Sequence, residues 1–281
     1  HNASKSEQIA FNGSGEAPHL ATKDQFSGKI DHHGFRSATV PGLVSTWFEA
    51  HQYGGNLPIS ELLAPAIEYA ESGIPVTAGF VRRMAHHLKQ YPETNLFESL
   101  NFPRNLKAGD LLRQQNLANS LAAIATEGRA AFYQGEIAAA LIKASEGWFS
   151  PQDLEKHRTR KVAPLKVSYR GIDIHGQPPP SQGMILMEEL LIAEGFGLAE
   201  MSEAQRIHLM VEAKEMAFQD RYEILGDPEF VDMEIKELFS DSSIASRRAR
   251  IDNKRANREP VKYNQEGSDT TYFLTADRDG N

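Results

Sequence analysis

Apolar residues three and four apart recur along most of this chain, and glycine or proline cuts each run short. That pattern commits a chain to many short amphipathic helices rather than to one continuous sheet. From Gly42, the residues Val44, Trp47, Phe48 and His51 share a helix face, and Gly54-Gly55 stops it. Ser60 is placed to cap the next helix, whose stripe is Leu62, Leu63, Ala66, Ile67 and Ala70 before Gly73. After Gly109, Asp110 offers a cap, Leu117, Leu121 and Ile124 repeat on one face, and Gly128 ends the run. An alanine-rich helix is predicted from Phe132 to Ser145, and Ser150-Pro151-Gln152-Asp153 reads as a helix start. Ser202-Glu203-Ala204-Gln205 is a capping-box pattern opening a long helix with Ile207, Met210, Val211, Ala217 and Phe218 inward, broken by Gly226-Asp227-Pro228.

Strand signals are fewer. Gln8 to Phe11 reads as a short strand ended by Asn12-Gly13. Leu165, Val167 and Tyr169 alternate, as do Ile172 and Ile174 beyond Gly171, which predicts a hairpin or a bent strand. Pro178-Pro179-Pro180-Ser181 must be a stiff extended loop leading into a helix. Thr271 to Thr275 has the composition of a buried strand, and Asp277 to Asn281 reads as a strand running into a hairpin turn, so the chain is expected to be a piece of something larger.

Composition narrows the function classes. With 281 residues, 40% hydrophobic and 24% charged, this is ordinary globular material for one or two domains. A formal net charge of −8 argues against a nucleic-acid grip, which needs clustered cations to displace counterions. The absence of cysteine excludes a disulfide framework, thiolate metal sites and a cysteine nucleophile. Nothing in the opening residues resembles a secretory signal and no apolar run is long enough to span a bilayer, so a soluble, cytoplasmic chain with no membrane partner is expected. Asn2-Ala3-Ser4 and Asn12-Gly13-Ser14 fit the glycosylation sequon only as chance matches.

Among residues able to carry chemistry, the pairs His32-His33 and His86-His87 point their side chains apart and do not read as ligands. His208 and Glu212 share a helix face and could hold a metal with a third ligand, but a hydrogen-bonded helix pair is the better reading, and no metal or other cofactor is expected. Asn12-Gly13-Ser14-Gly15-Glu16 lacks the Lys-Ser/Thr ending of a phosphate loop. The arginines and lysine between Ser246 and Arg258 read as a solvated helix face. Gly267-Ser268-Asp269-Thr270-Thr271 is different: a polar approach meets two threonines at the start of an apolar strand. A threonine hydroxyl needs a base, and a freed α-amine with a pKa of roughly 7.7–8.0 can serve. That arrangement suits self-cleavage before a threonine, although Asp-Thr-Thr before a strand is also a common turn.

The chain resembles the gamma-glutamyltranspeptidase family of N-terminal-nucleophile hydrolases. The resemblance runs from about Phe11 to the end and is carried by Val40-Pro41-Gly42 with Trp47 and Tyr53-Gly54, by Leu62-Leu63-Ala64-Pro65-Ala66-Ile67, and by Ala131-Phe132-Tyr133-Gln134-Gly135. It continues through Pro164-Leu165, Tyr169-Arg170-Gly171, Pro178-Pro179-Pro180-Ser181-Gln182-Gly183, Glu212-Ala213-Lys214, Ala217 to Arg221, Leu225 to Pro228, and Asp269-Thr270-Thr271.

The resemblance implies an α+β fold, the four-layer αββα sandwich of the family, of which this chain would be an incomplete, helix-rich part. Residues 1–269 would be the large-subunit region of a proenzyme and residues 270–281 the first strand of a truncated small subunit. Thr270 would attack the Asp269 carbonyl, pass through an ester and, after hydrolysis, become the catalytic nucleophile with a free amine. Thr271 and Asp269 would serve geometry. The mature partner would be the chain's own small subunit, and the substrate a γ-glutamyl, glutathione-like or other small amide, cleaved by hydrolysis or acyl transfer. The piece alone would be inactive, because most of the small subunit is absent. One departure bears on substrate: glutamyl-specific members carry a carboxylate-clamping arginine where Ala17-Pro18 anchors Ser14 here, beside Gly15 and Glu16. Ser14 favours a relative acting on another small amide, oxamate-like or an acylated amine. A non-catalytic paralogue is the remaining alternative, against which the intact Asp269-Thr270 counts.

Overall fold

In the computed structural model the described residues are 1–26, 28, 30, 34–91, 100, 102–257 and 272–281. The fold is α+β: helices joined by three small antiparallel sheets of two strands each among the described residues. The chain divides into two compact units, Gly13–Thr159 and, from both ends, His1–Asn12 with Arg160–Asn281.

The unit Gly13–Thr159 holds helices α1 (Leu43–Gly54), α2 (Ile59–Ser72), α3 (Ala78–Gln90), α4 (Gln115–Glu127), α5 (Arg129–Tyr133), α6 (Glu136–Ala144) and α7 (Pro151–Lys156). Its core gathers Val40, Val44, Ile124, Tyr133, Trp148, Phe149 and Leu154. Each such large side chain withdrawn from water contributes about 1.5–3 kcal/mol. Helix α2 packs along α4 through a narrower stripe than the sequence predicts, with Ala70 buried, Leu63 and Ile67 half-buried and Leu62 and Ala66 exposed.

Three sequence expectations fail here for local reasons. Pro58, not Ser60, is the N-cap of α2, and the helix begins at Ile59, two residues earlier than a Ser60 cap would place it, because proline holds φ near −53 at its start. Asp110 does not cap α4: its carboxylate accepts from the Lys107 amide at 2.8 Å, while Leu111–Leu112 (β3) pairs with Ile74–Pro75 (β2) and delays the helix to Gln115. Finally, the predicted helix from Phe132 to Ser145 is two helices. The amides of Gln134 and Gly135 both fold back on the Ala130 carbonyl, at 2.9 and 3.0 Å, closing α5 before α6 begins.

In the other unit, β1 (Ala10–Asn12) pairs antiparallel with β4 (Arg160–Val162), Ala10 opposite Val162. The predicted hairpin forms from β5 (Leu165–Tyr169) and β6 (Ile172–Gly176), turned by Arg170 and Gly171 at φ 50 and 80. Two successive positive φ values are what a tight hairpin turn requires. The proline run then leads into α8 (Gly183–Glu194), followed by α9 (Glu203–Ile224), α10 (Ile235–Leu238) and α11 (Asp241–Ala249). The capping box at Ser202 and Gln205 is present as predicted.

The buried face of α9 differs from the expected one. Leu209, Glu212, Ala213, Met216 and Ala217 are buried, Phe218 is half-buried, and Ile207, Met210 and Val211 are exposed. Apolar residues lie on both sides of this helix, so periodicity alone does not choose the inward face. The solvated reading of the arginine run also fails for Arg247 and Arg248. Arg247 Nε lies 2.7 Å from Glu188 Oε1, and its Nη2 lies 2.6 Å from Asp220 Oδ2. The Arg248 guanidinium donates to the Leu191 and Ile192 carbonyls, satisfying C-terminal groups of α8 that have no helical partner.

At the far end, residues 272–275 form no strand, and Tyr272 and Phe273 are 84% and 81% exposed. An apolar run becomes a buried strand only where a neighbouring strand takes up its backbone bonds, and none among the described residues does so. The expected turn does form: the Asp277 carboxylate accepts from the Asp279 amide at 3.0 Å and the Asn281 amide at 2.9 Å.

Candidate active site

The predicted nucleophile Thr270, the residue before the expected cut, Asp269, and Thr271 all lie outside the described residues. The other candidates, Ser14, Gly15 and Glu16, are described, and they form one loop pressed against the residues leading into α1.

Glycine is a steric requirement at three places in that contact. A methyl group added to Gly15 would lie 1.7 Å from the Val40 carbonyl oxygen, and one on Gly13 would lie 2.0 Å from Thr46 Oγ1. One on Gly42 would lie 1.7 Å from the Gly13 carbonyl oxygen. Two backbones therefore pass at a separation that no side chain permits. A Val40 amide to Glu16 carbonyl bond of 3.0 Å fixes their register. Ser14 stands exposed on the loop, and the Glu16 carboxylate pairs with Lys156 Nζ at 3.0 Å. Both partners are about half exposed, so that pair contributes at most about 1 kcal/mol.

The loop is tied down beyond Pro18 by Asp153, which is 2% exposed. Its carboxylate accepts from the His19 amide at 3.1 Å, His19 Nδ1 at 2.9 Å, the Ser150 amide at 3.0 Å and Ser150 Oγ at 2.7 Å. Burial disfavours its charge, but these bonds outweigh burial and hold its pKa at about 2. The sequence showed the Ser150–Asp153 cap; nothing in it showed that the same carboxylate anchors His19.

Behind Gly42 lies a buried column that the sequence did not assign a role. The Tyr133 ring carries the Arg129 guanidinium 4.2 Å from its centroid, and the His157 ring stacks on it at 5.7 Å. Arg129 also donates to the His157 carbonyl. Burial, followed by the nearby Arg129 charge, pushes the His157 pKa down, so the ring is held neutral. Burial pushes the Tyr133 pKa up, against the Ser45 amide bond and Arg129, so the phenol keeps its proton.

His208 and Glu212 do not act together: His208 Nε2 bonds the Asp252 carbonyl at 2.8 Å, and Glu212 Oε1 accepts from the Asn257 amide at 2.8 Å. Among the described residues no cluster of three or more metal-ligating side chains occurs, and no helix is long and apolar enough to cross a membrane.

Comparison with known proteins defines the class. The family described as Gamma-glutamyltranspeptidase matches residues 1–281, and the chain belongs to that family. It is 32% identical to the Glutathione hydrolase-like YwrD proenzyme of Bacillus subtilis, over 100% of this chain and 55% of that protein. It is also 32% identical to the Oxamate amidohydrolase proenzyme of Klebsiella pneumoniae, over 97% of this chain and 54% of the relative. Among solved structures, the Helicobacter pylori gamma-glutamyltranspeptidase superposes with a TM-score of 0.82 at 26% identity, covering 94% of this chain and 81% of that one. The chain spans about half the length of the curated relatives it matches.

Proposed function

We propose that these residues are the large-subunit region and the start of the small subunit of an autoprocessing threonine hydrolase, which cleaves γ-glutamyl amide bonds by hydrolysis or acyl transfer. The observation that carries this reading is the family match through residue 281, which takes in an intact Asp269-Thr270-Thr271. In maturation the Thr270 hydroxyl adds to the Asp269 carbonyl, the Asp269–Thr270 amide bond breaks, and the threonine nitrogen leaves as an amine. Water then hydrolyses the resulting ester and leaves Thr270 with a free amine and hydroxyl. In turnover that amine takes the hydroxyl proton as Thr270 Oγ1 attacks the substrate amide. The substrate nitrogen departs with a proton, and water or an acceptor amine releases the acyl group. Names ending in "proenzyme" among the relatives support a partner subunit made from the same precursor.

Ser14 favours a second reading, an amidohydrolase or acylase acting on another small amide. A serine cannot offer the planar two-pronged, charged grip that an arginine offers a carboxylate. The relative named for oxamate agrees with that reading. The full-length protein should be assayed for amine release from a γ-glutamyl anilide and for ammonia release from small amides including oxamate. Ser14→Arg should shift preference toward the γ-glutamyl compound. If Ser14→Arg leaves the ratio of the two activities unchanged, the loop does not select substrate.

A further inference from the structure

A helix needs acceptors for its first amides, and the residue at the N-cap ordinarily supplies one from its side chain. At α1 that residue is Gly42, which has no side chain, and the close approach to Gly13 forbids one. The missing acceptor comes from far along the chain. Tyr133 Oη accepts from the Ser45 amide at 3.1 Å and donates to the Pro41 carbonyl at 2.8 Å, so one hydroxyl grips both sides of Gly42. Tyr133 is 1% exposed, and its ring is in contact with both Arg129 and His157, so the hydroxyl has little freedom to leave. The same turn is held from a second direction, where Ser45 Oγ accepts from the Thr159 amide at 3.1 Å.

We propose that Tyr133 is a positioning residue for substrate: a cap borrowed from α5 that fixes Pro41–Ser45, and through the Gly42–Gly13 contact sets where Ser14 stands. This inference rests on the reading that the Gly13–Glu16 loop meets the acyl substrate. It makes the glycine at Gly42 and the tyrosine at Tyr133 one device. The glycine lets the loop approach, and the tyrosine replaces the cap that the glycine gives up.

The test uses the full-length, processed protein and its best amide substrate. Tyr133→Phe keeps the ring and removes the hydroxyl, leaving the Ser45 amide and Pro41 carbonyl without their partner. KM should rise by about tenfold while kcat changes by less than about twofold, since ground-state placement is lost and the nucleophile is not touched. Thr77→Ala is the control: it removes an ordinary cap, the Thr77 Oγ1 acceptor of the Phe80 amide at 3.1 Å, and should lower the urea midpoint without moving KM. If Tyr133→Phe does not accumulate, Ser45→Ala loosens the same turn from the Thr159 side and should raise KM alone. An unchanged KM in either turn variant, while Ser14→Ala alters it, overturns the positioning role. If Ser14→Ala also leaves KM unchanged, the reading of the loop fails and takes the inference with it.

Discussion

Replacing Asp153 by asparagine tests how firmly the candidate loop is anchored. The carboxylate has a pKa of about 2 in the folded protein against an ordinary 3.8. A depressed acid contributes stability that is present above the unfolded value and lost as pH falls through the folded one. That difference corresponds to about 2 kcal/mol, lost between about pH 4 and pH 2. Asparagine keeps one oxygen for the Ser150 and His19 donors but cannot titrate. Trp47 and Trp148 both lie in the same unit as Asp153, so intrinsic fluorescence in urea reports on the relevant unfolding. At neutral pH the variant should be less stable than the wild type, and the gap should shrink by about 2 kcal/mol as the pH is lowered through that window. Other carboxylates cancel in the difference. A gap independent of pH would refute the claim that Asp153 is held ionised by His19 and Ser150.

Glu188 is 0% exposed and lies 2.7 Å from Arg247 Nε, whose guanidinium it shares with the part-exposed Asp220. Burial and then Asp220 raise the Glu188 pKa, so the folded state binds a proton that the unfolded chain releases, and stability falls as pH rises above the ordinary glutamate value. Glu188→Gln should flatten that fall, by at most about 1.4 kcal/mol per pH unit, in urea midpoints followed by circular dichroism; an unaltered slope would place the proton elsewhere. Gly15→Ala forces a methyl group toward the Val40 carbonyl, whose backbone cannot turn aside as a side-chain end could. It should cost about 1–3 kcal/mol and raise KM, and a variant as stable and active as wild type would contradict the packing described for the loop.

Much of the architecture was legible because it is local. The capping boxes at Ser150 and Ser202, the turn at Arg170-Gly171 and the glycine stops at Gly73 and Gly128 are each written within a few residues. What escaped depends on residues distant in sequence. Leu111-Leu112 forms a strand because Ile74-Pro75 is beside it, and the inward face of α9 follows from what packs on it. The site shows the same division. Ser14, Gly15 and Glu16 could be singled out from their motif, and Gly42 and Tyr133 each fell in a recognisable segment. No pattern joined those two, because Tyr133 Oη reaches the Pro41 carbonyl across 92 positions of chain. Arg247 looked like surface charge for a related reason: its two carboxylate partners come from other helices.

On the proposed reading, Thr270 becomes the first residue of a second chain. Intact mass and amino-terminal sequencing of the full-length protein test it directly. Two fragments are expected, the smaller beginning at Thr270-Thr271-Tyr272, and a single uncut chain in the Thr270→Ala variant. A wild-type protein that stays whole while hydrolysing amides, or a cut at any other bond, would contradict it.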